Sequence, residues 1–249
     1  MKIVVIGGTG LIGSKLVERL TAHGHEAVPA APQTGVNSLT GEGLDAAVAG
    51  ADVLVDLSNS PSFADDDVMS FFTTSTGNLV KAASNAGVRH YVILSIVGTD
   101  ALPDSGYLRA KVAQETLVRD SGLPYSIVRS TQFFEFTRAI ADSFTRDGAL
   151  HLPPVHYRPI ASDDVVTALA TVVQGAPIEG IEEIGGPDRL RFDEFLPAVL
   201  RHAGDERPLV VDEHARYFGT ELADDSLVPG PGAWLGSIAY EDWADQQLG

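Results

Sequence analysis

The chain of 249 residues has no cysteine, which removes disulfides, thiolate catalysis and cysteine-ligated metal sites at once. Basic residues are scarce: 17 Lys and Arg stand against 34 Asp and Glu, a formal charge of -17. Such a balance opposes nucleic acid, which is held by neutralising its phosphates, and opposes docking on anionic membrane surfaces. We read the acidity as solubility, and an anionic ligand then needs local donors that outweigh the global field. No apolar run approaches the ~20 residues of a membrane span. No basic, apolar and small-residue signal pattern precedes the first strand either, so a cytoplasmic protein is expected. The seven histidines never fall at ligand spacing such as His-x-x-x-His, and no metal is expected.

What is present alternates. Ile3–Ile6, Glu26–Ala31, Asp52–Leu57, His90–Ser95 and Tyr125–Ser130 read as strands, the clearest of them continuously apolar as in a parallel sheet buried on both faces. Between them, Ile12, Leu16 and Leu20 mark one helical face. Helices are expected near Leu44–Val48, over Asp65–Ala86 and from about Tyr107 to Ser121. A third strand between Ala31 and Asp52, if formed, has a poor sequence. Strand–helix alternation predicts a doubly wound, Rossmann-like α/β sheet with right-handed crossovers. Later come a helix over Phe133–Thr145, a break at Pro153-Pro154, a strand near Tyr157–Ile160 and a helix over Ser162–Gln174. One more strand and helix ("IEEIGGP", "FDEFLPAVLRHAG") and a rigid "VPGPG" loop complete the chain. The expected organisation is a nucleotide-binding core over 1–150 and a small substrate-capping region over 151–249, folded as one unit.

Gly7, Gly10 and Gly13 follow a buried strand and open a helix. In that context the first glycine permits the turn, the second a close phosphate and the third helix–sheet packing, with the helix N-terminus receiving the pyrophosphate. The end of the second strand, "VPAAPQTG" (Val28–Gly35), carries no carboxylate to hold a ribose 2′-hydroxyl and no Arg to clamp a 2′-phosphate. Gln33 and Thr34 offer neutral donors. NADP(H) is therefore expected over NAD(H), since an absent acid removes repulsion.

Ser95 ends a strand at the edge where parallel sheets bind ligands, and Tyr107 and Lys111 lie four apart on one helical face. A phenol beside an ammonium and a cationic nicotinamide can exchange a proton near neutrality, while Ser95 hydrogen-bonds the substrate oxygen. Taken singly, each of these residues has an ordinary structural use as a cap or a surface pair.

The order Gly7-x-x-Gly10-x-x-Gly13, Ser95-x-x-Gly98, Tyr107-x-x-x-Lys111 resembles the short-chain dehydrogenase/reductase superfamily over the first ~150 residues. Gly185-Gly186-Pro187 before a helix is similar to its atypical, NmrA-like and NAD(P)H-binding members. The twelve positions from Ser95 to Tyr107 are nearer the superfamily's reductases than its sugar-nucleotide epimerases. The resemblance implies catalysis by Ser95, Tyr107 and Lys111. It also implies cofactor contacts from Gly7, Thr9, Gly10, Leu11, Ile12, Gly13, Gln33, Ser58, Asn59, Lys111 and Gln132, and a substrate pocket at Phe133 and Phe134; His156, beside Pro153-Pro154, is a further pocket candidate with a loop role as the alternative. The adenine-holding Asp common in the superfamily has no counterpart in Gly35–Gly43. The function implied is reduction of a small carbonyl or quinone-like molecule. The alternative is a non-catalytic redox sensor acting through a protein partner.

Overall fold

A computed structural model describes residues 1–248. Its centre is a seven-stranded parallel sheet. Five strands are β1 (Lys2–Ile6), β2 (Glu26–Ala30), β3 (Val53–Asp56), β4 (His90–Ile96) and β5 (Tyr125–Ser130). Two more, Ile181–Gly185 and Trp234–Leu235, extend it beyond β5, and β2 is the opposite edge. Successive residues face opposite sides. Val5, Val55, Val92 and Val128 pack toward α1 (Leu11–Ala22), while Val4, Leu54, Ile93 and Ile127 pack toward α3 (Asp65–Ala86) and α4 (Gly106–Arg119). Both faces are covered, which is why the strands read as unbroken apolar runs.

No third strand forms between Ala31 and Asp52. A single 3-10 turn (Pro32–Thr34) and the short α2 (Leu44–Val48) occupy that stretch. Gly35 and Gly43, left-handed at φ 80° and 69°, are incompatible with an extended strand there. The helix expected over Phe133–Thr145 is likewise a 3-10 turn (Phe134–Phe136) followed by α5 (Thr137–Ser143).

The chain does not divide at residue 150. Beyond that point α6 (Ser162–Gln174) buries Val165, Leu169 and Val173 in the same cluster as Leu16 and Leu20 of α1, and two sheet strands follow. The capping layer is instead interleaved: α5, the strand Ala149–Leu152, α7 (Phe192–His202) and the hairpin Arg216–Tyr217/Thr220–Glu221. These enclose a second core of Phe144, Leu152, Tyr157, Phe192, Leu196 and Tyr217. Leu102 and Leu108, beside the start of α4, belong to that core and join the cap to the sheet. No described helix is long and apolar enough to cross a membrane.

Candidate active site

Register places Ile6 beside Asp56, so β1 and β3 end level, and strand order reverses between these two, with β2 on one side and β4 on the other. That is the position at which open parallel sheets bind ligands. A cavity of about 720 Å³ opens there. It runs from the glycine turn past Ser58 and Asn59 to Tyr107 and Phe218.

The three glycines do different work. Gly7 is left-handed (φ 73°), with the Leu57 carbonyl oxygen 2.8 Å from where a Cβ would sit. At Gly13 a Cβ would meet the Gly7 carbonyl oxygen at 2.1 Å, so any side chain there displaces the turn itself. Gly10, the N-cap of α1, would meet only the Gly7 oxygen at 3.3 Å, and no side chain caps the helix. The first helical bond runs from Ser14 N–H to the Gly10 carbonyl, leaving the N–H groups of Leu11, Ile12 and Gly13 ahead of it at the positive end of the helix. Gly8 had not drawn attention in the sequence. A Cβ there would lie 2.7 Å from Pro29 Cα, so its smallness lets β2 approach the turn.

Tyr107 enters from the first turn of α4. Ser105 caps that helix by accepting from Leu108 N–H (3.3 Å). Gly106 lies so close to α3 that a Cβ would fall 2.0 Å from an Asp65 oxygen. Both residues fix where the phenol points, and the Gly106 contact is a signal that neither spacing nor periodicity carries. The Tyr107 hydroxyl donates to Asn59 Oδ1 (2.9 Å). Burial pushes its pKa up to about 12, with the Asn59 bond offsetting part of the rise. In the protein alone burial dominates, and Tyr107 holds its proton throughout the neutral range.

Lys111 explains why. Its Nζ lies 4.5 Å from the Phe72 ring centroid and donates to the Leu94 carbonyl (2.9 Å) and to Gln114 Oε1. Gln114 in turn donates to Asp56 Oδ2 (2.9 Å), whose other oxygen accepts from Ser58 N–H and Oγ. Burial pulls the ammonium down to about 8, opposed by the carboxylates of Asp56 and Glu115. Lys111 borders the cavity, but its bonds run into the sheet.

Ser95 departs from expectation in the same way. It borders the cavity, yet its hydroxyl donates to Glu115 Oε1 (2.6 Å). Glu115 is fully buried and accepts Nε (2.9 Å) and Nη2 (2.8 Å) of Arg129, the β5 residue paired with Ser95. A carboxylate four residues beyond Lys111 thus claims the serine proton expected for a substrate oxygen.

Of the remaining expected residues, Ser58, Asn59, Gln132 and Phe133 line the cavity with Leu11 and Ile12. Gln132 is buried, and neither its amide nitrogen nor its oxygen has a hydrogen-bond partner. Thr9 and Gln33 stand outside the cavity on exposed ground, 3.5 Å apart (Oγ1 to Oε1), bridging the glycine turn and the end of β2. Phe134 does not face the cavity. It is buried against Tyr240 and Trp243 of the terminal helix Tyr240–Leu248, because the 3-10 turn rotates it away from Phe133 and Phe136. His156 is also elsewhere: its Nδ1 pairs with Asp224 Oδ1 (2.7 Å) in a separate surface depression, because the strand pairing of His156–Tyr157 with Leu190–Arg191 holds it there. Sequence reasoning missed Phe63, Tyr217 and Phe218, which complete the cavity wall from the α3 approach and the cap hairpin.

Comparison with known proteins bears on the family and the fold. A family model described as NAD(P)H-binding matches residues 7–174. The chain belongs to this NAD(P)H-binding family. It is 28% identical over 229 residues to a (4-alkanoyl-5-oxo-2,5-dihydrofuran-3-yl)methyl phosphate reductase of Streptomyces griseus subsp. griseus, covering 85% of this chain and 76% of that one. It is 24% identical over 149 residues to the photosystem II assembly factor Ycf39 of Synechocystis, covering 54% of this chain and 46% of that protein. Among solved structures, a dTDP-4-dehydrorhamnose reductase ortholog from Clostridium acetobutylicum superposes over the whole of both chains (TM-score 0.72, 17% identity). A short-chain dehydrogenase/reductase superfamily protein from Agrobacterium tumefaciens with bound NAD covers 99% of this chain and 95% of its own (TM-score 0.71, 18% identity). These likenesses show the fold.

Proposed function

We propose that the chain is an NADP(H)-preferring reductase of a small carbonyl or quinone-like compound, with Tyr107 as the proton donor. One observation carries the reading: a single cavity joins the unbonded N–H groups at the start of α1 to the Tyr107 hydroxyl. The residues present suit a dinucleotide. Gly10 leaves room for a pyrophosphate at the helix N-terminus, and Ser58 and Asn59 lie where a ribose follows. The unpartnered amide of Gln132 matches a carboxamide. When bound, a reduced nicotinamide supplies the hydride.

The chain's part is the proton. A phenol held near 12 is protonated at neutral pH and still more acidic than the alcohol formed when a ketone is reduced, so transfer from Tyr107 to that alkoxide runs downhill. Asn59 fixes the direction of the hydroxyl. Phe133 and Phe218 keep water from the reacting oxygen. Lys111 fixes the floor of the site through Leu94 and Gln114. The reductase homologue from Streptomyces supports this class of reaction.

The coenzyme preference is supported by the absence of an acid after β2 and by Gln33 standing exposed beside Thr9. Gln33→Asp is expected to shift the ratio of NADPH to NADH affinity toward NADH by roughly tenfold, read by calorimetric titration of both. A second reading has one observation in its favour. The Ser95 hydroxyl is spent on Glu115, as a nucleotide-binding sensor without turnover would permit. Screening carbonyl and quinone compounds for NADPH oxidation separates the two. Turnover on at least one compound supports the reductase, whereas nucleotide binding with no turnover on any supports the sensor.

A further inference from the structure

Three aromatic rings from three separate elements meet at the mouth of the cavity. Phe63 precedes α3, Tyr107 opens α4 and Phe218 tips the cap hairpin. Phe218 stacks on Tyr107 (centroids 5.6 Å, 26° between planes) and on Phe63 (5.8 Å, 25°), and Phe63 lies 5.5 Å from Tyr107. Phe63 is 57% exposed and Phe218 41% exposed, an unusual cost for large apolar rings unless something covers them. Phe218 also holds a left-handed backbone (φ 46°), which a bulky residue rarely adopts. The hairpin therefore keeps this ring over Tyr107 despite the local cost. A second stacked pair, Phe133 and Phe136 (5.6 Å, 26°), borders the same cavity.

Charge is nearly absent from the wall. Among the described residues lining the cavity, Lys111 is the one ionised side chain, and it is already engaged by Leu94 and Gln114. An anionic substituent on a substrate would lose its water without gaining a free cation, which is unfavourable. The anion-binding end, at Gly10–Gly13, lies with the nucleotide.

Resting on the reductase reading, we propose that the substrate is an uncharged, planar, conjugated carbonyl compound, and that Phe218 and Phe63 are the residues that select it. The exposed ring faces stack offset against a flat conjugated ring, and this orients its carbonyl oxygen toward the Tyr107 hydroxyl. Hydride adds to the conjugated system and the Tyr107 proton goes to the oxygen, giving the two-electron-reduced hydroxy compound and the oxidised nicotinamide. A saturated ketone of equal size gains burial but no stacking. A phosphorylated or carboxylated analogue meets the uncharged wall.

The test compares kcat/KM with NADPH for 1,4-naphthoquinone, for a saturated bicyclic ketone and for a naphthoquinone bearing a sulfonate. Equilibrium binding of each compound to the NADP⁺-saturated protein is measured by calorimetry. The uncharged naphthoquinone is expected to bind and react best. Phe218→Asn keeps a residue that tolerates the left-handed backbone while deleting the ring. It is expected to lower kcat/KM and weaken equilibrium binding of the naphthoquinone by roughly three- to tenfold, with the thermal midpoint little changed. Phe63→Leu is expected to do the same to a smaller extent, with no change for the saturated ketone. Equal or better binding of the saturated or sulfonated compound, or unchanged naphthoquinone affinity in both variants, overturns this inference and leaves the reductase reading standing. If the naphthoquinone binds selectively but no compound in the wider screen is turned over, the aromatic site is retained as a binding site and the reductase reading falls.

Discussion

The two ends of the cavity are made of different material. At the glycine end the walls are backbone: a left-handed Gly7, a helix start without a side-chain cap, and a Gly13 pressed against Gly7. At the tyrosine end they are side chains whose polar atoms are tied to other side chains, both near and far in sequence. Ser95 is bound to Glu115, Glu115 to Arg129 and Lys111 to Gln114. A backbone site tolerates no side chain but needs no partners. A side-chain site performs only the chemistry its partners permit, and here the Tyr107 hydroxyl is held by the neutral amide oxygen of Asn59, whereas Ser95 is held by a carboxylate.

The most damaging change should fall on the side-chain end. Glu115→Ala removes the buried carboxylate that holds Nε and Nη2 of the Arg129 guanidinium, 6% exposed, and leaves it only the exposed Asp100 at Nη1. Losing one partner of a buried pair typically costs about 3–5 kcal/mol, so a large drop in denaturant midpoint is expected. Retained stability would mean that the Ser95–Glu115–Arg129 chain does not hold β4 to β5. Gly13→Val attacks the other end. With the Gly7 oxygen 2.1 Å from the new Cβ, the turn must shift, at roughly 1–3 kcal/mol of stability and with loss of nucleotide binding. A Gly13→Val protein that bound NADPH normally would break the backbone account.

The difference between the ends also explains what could be read beforehand. Strand–helix alternation and glycine spacing are local, so the doubly wound sheet was legible along the chain and its first strand, glycine turn and helix in "VVIGGTGLIGSK". Tyr107 and Lys111 were legible as a pair by helical period, but their states were not. Nothing in the Tyr107-x-x-x-Lys111 spacing says that Gln114 and Phe72 will claim the ammonium, or that burial raises the phenol. Glu115 sits four residues after Lys111 and reads as an ordinary helical charge until β4 and β5 align Ser95 with Arg129. Phe134 and His156 were misplaced because a 3-10 turn and a two-residue strand set their directions, and neither has a periodicity to read. Phe218 was invisible because only the hairpin brings it to Tyr107.

A smaller effect sharpens the contrast through pH. Lys111 titrates at about 8 when folded and near its ordinary 10.5 when unfolded. Between those values the unfolded chain binds the extra proton, so this residue's contribution to stability rises with pH across that window and is flat below it. Tyr107 acts in the opposite sense, lowering stability as pH climbs from 10 toward 12. The difference in unfolding free energy between the native protein and Lys111→Met should therefore grow in favour of the native chain from pH 8 to 10.5. A difference that does not change with pH would mean that Lys111 is not desolvated.

The central claim is that the proton comes from Tyr107 and not from Ser95. Turnover and NADPH affinity of Tyr107→Phe and Ser95→Ala, measured side by side on one substrate, test it most directly. The expected result is a fall of roughly 10²–10⁴-fold in kcat for Tyr107→Phe with unchanged NADPH affinity, and a change of only about a few-fold for Ser95→Ala. Full turnover in Tyr107→Phe, or an equally deep loss in a folded Ser95→Ala, would contradict it.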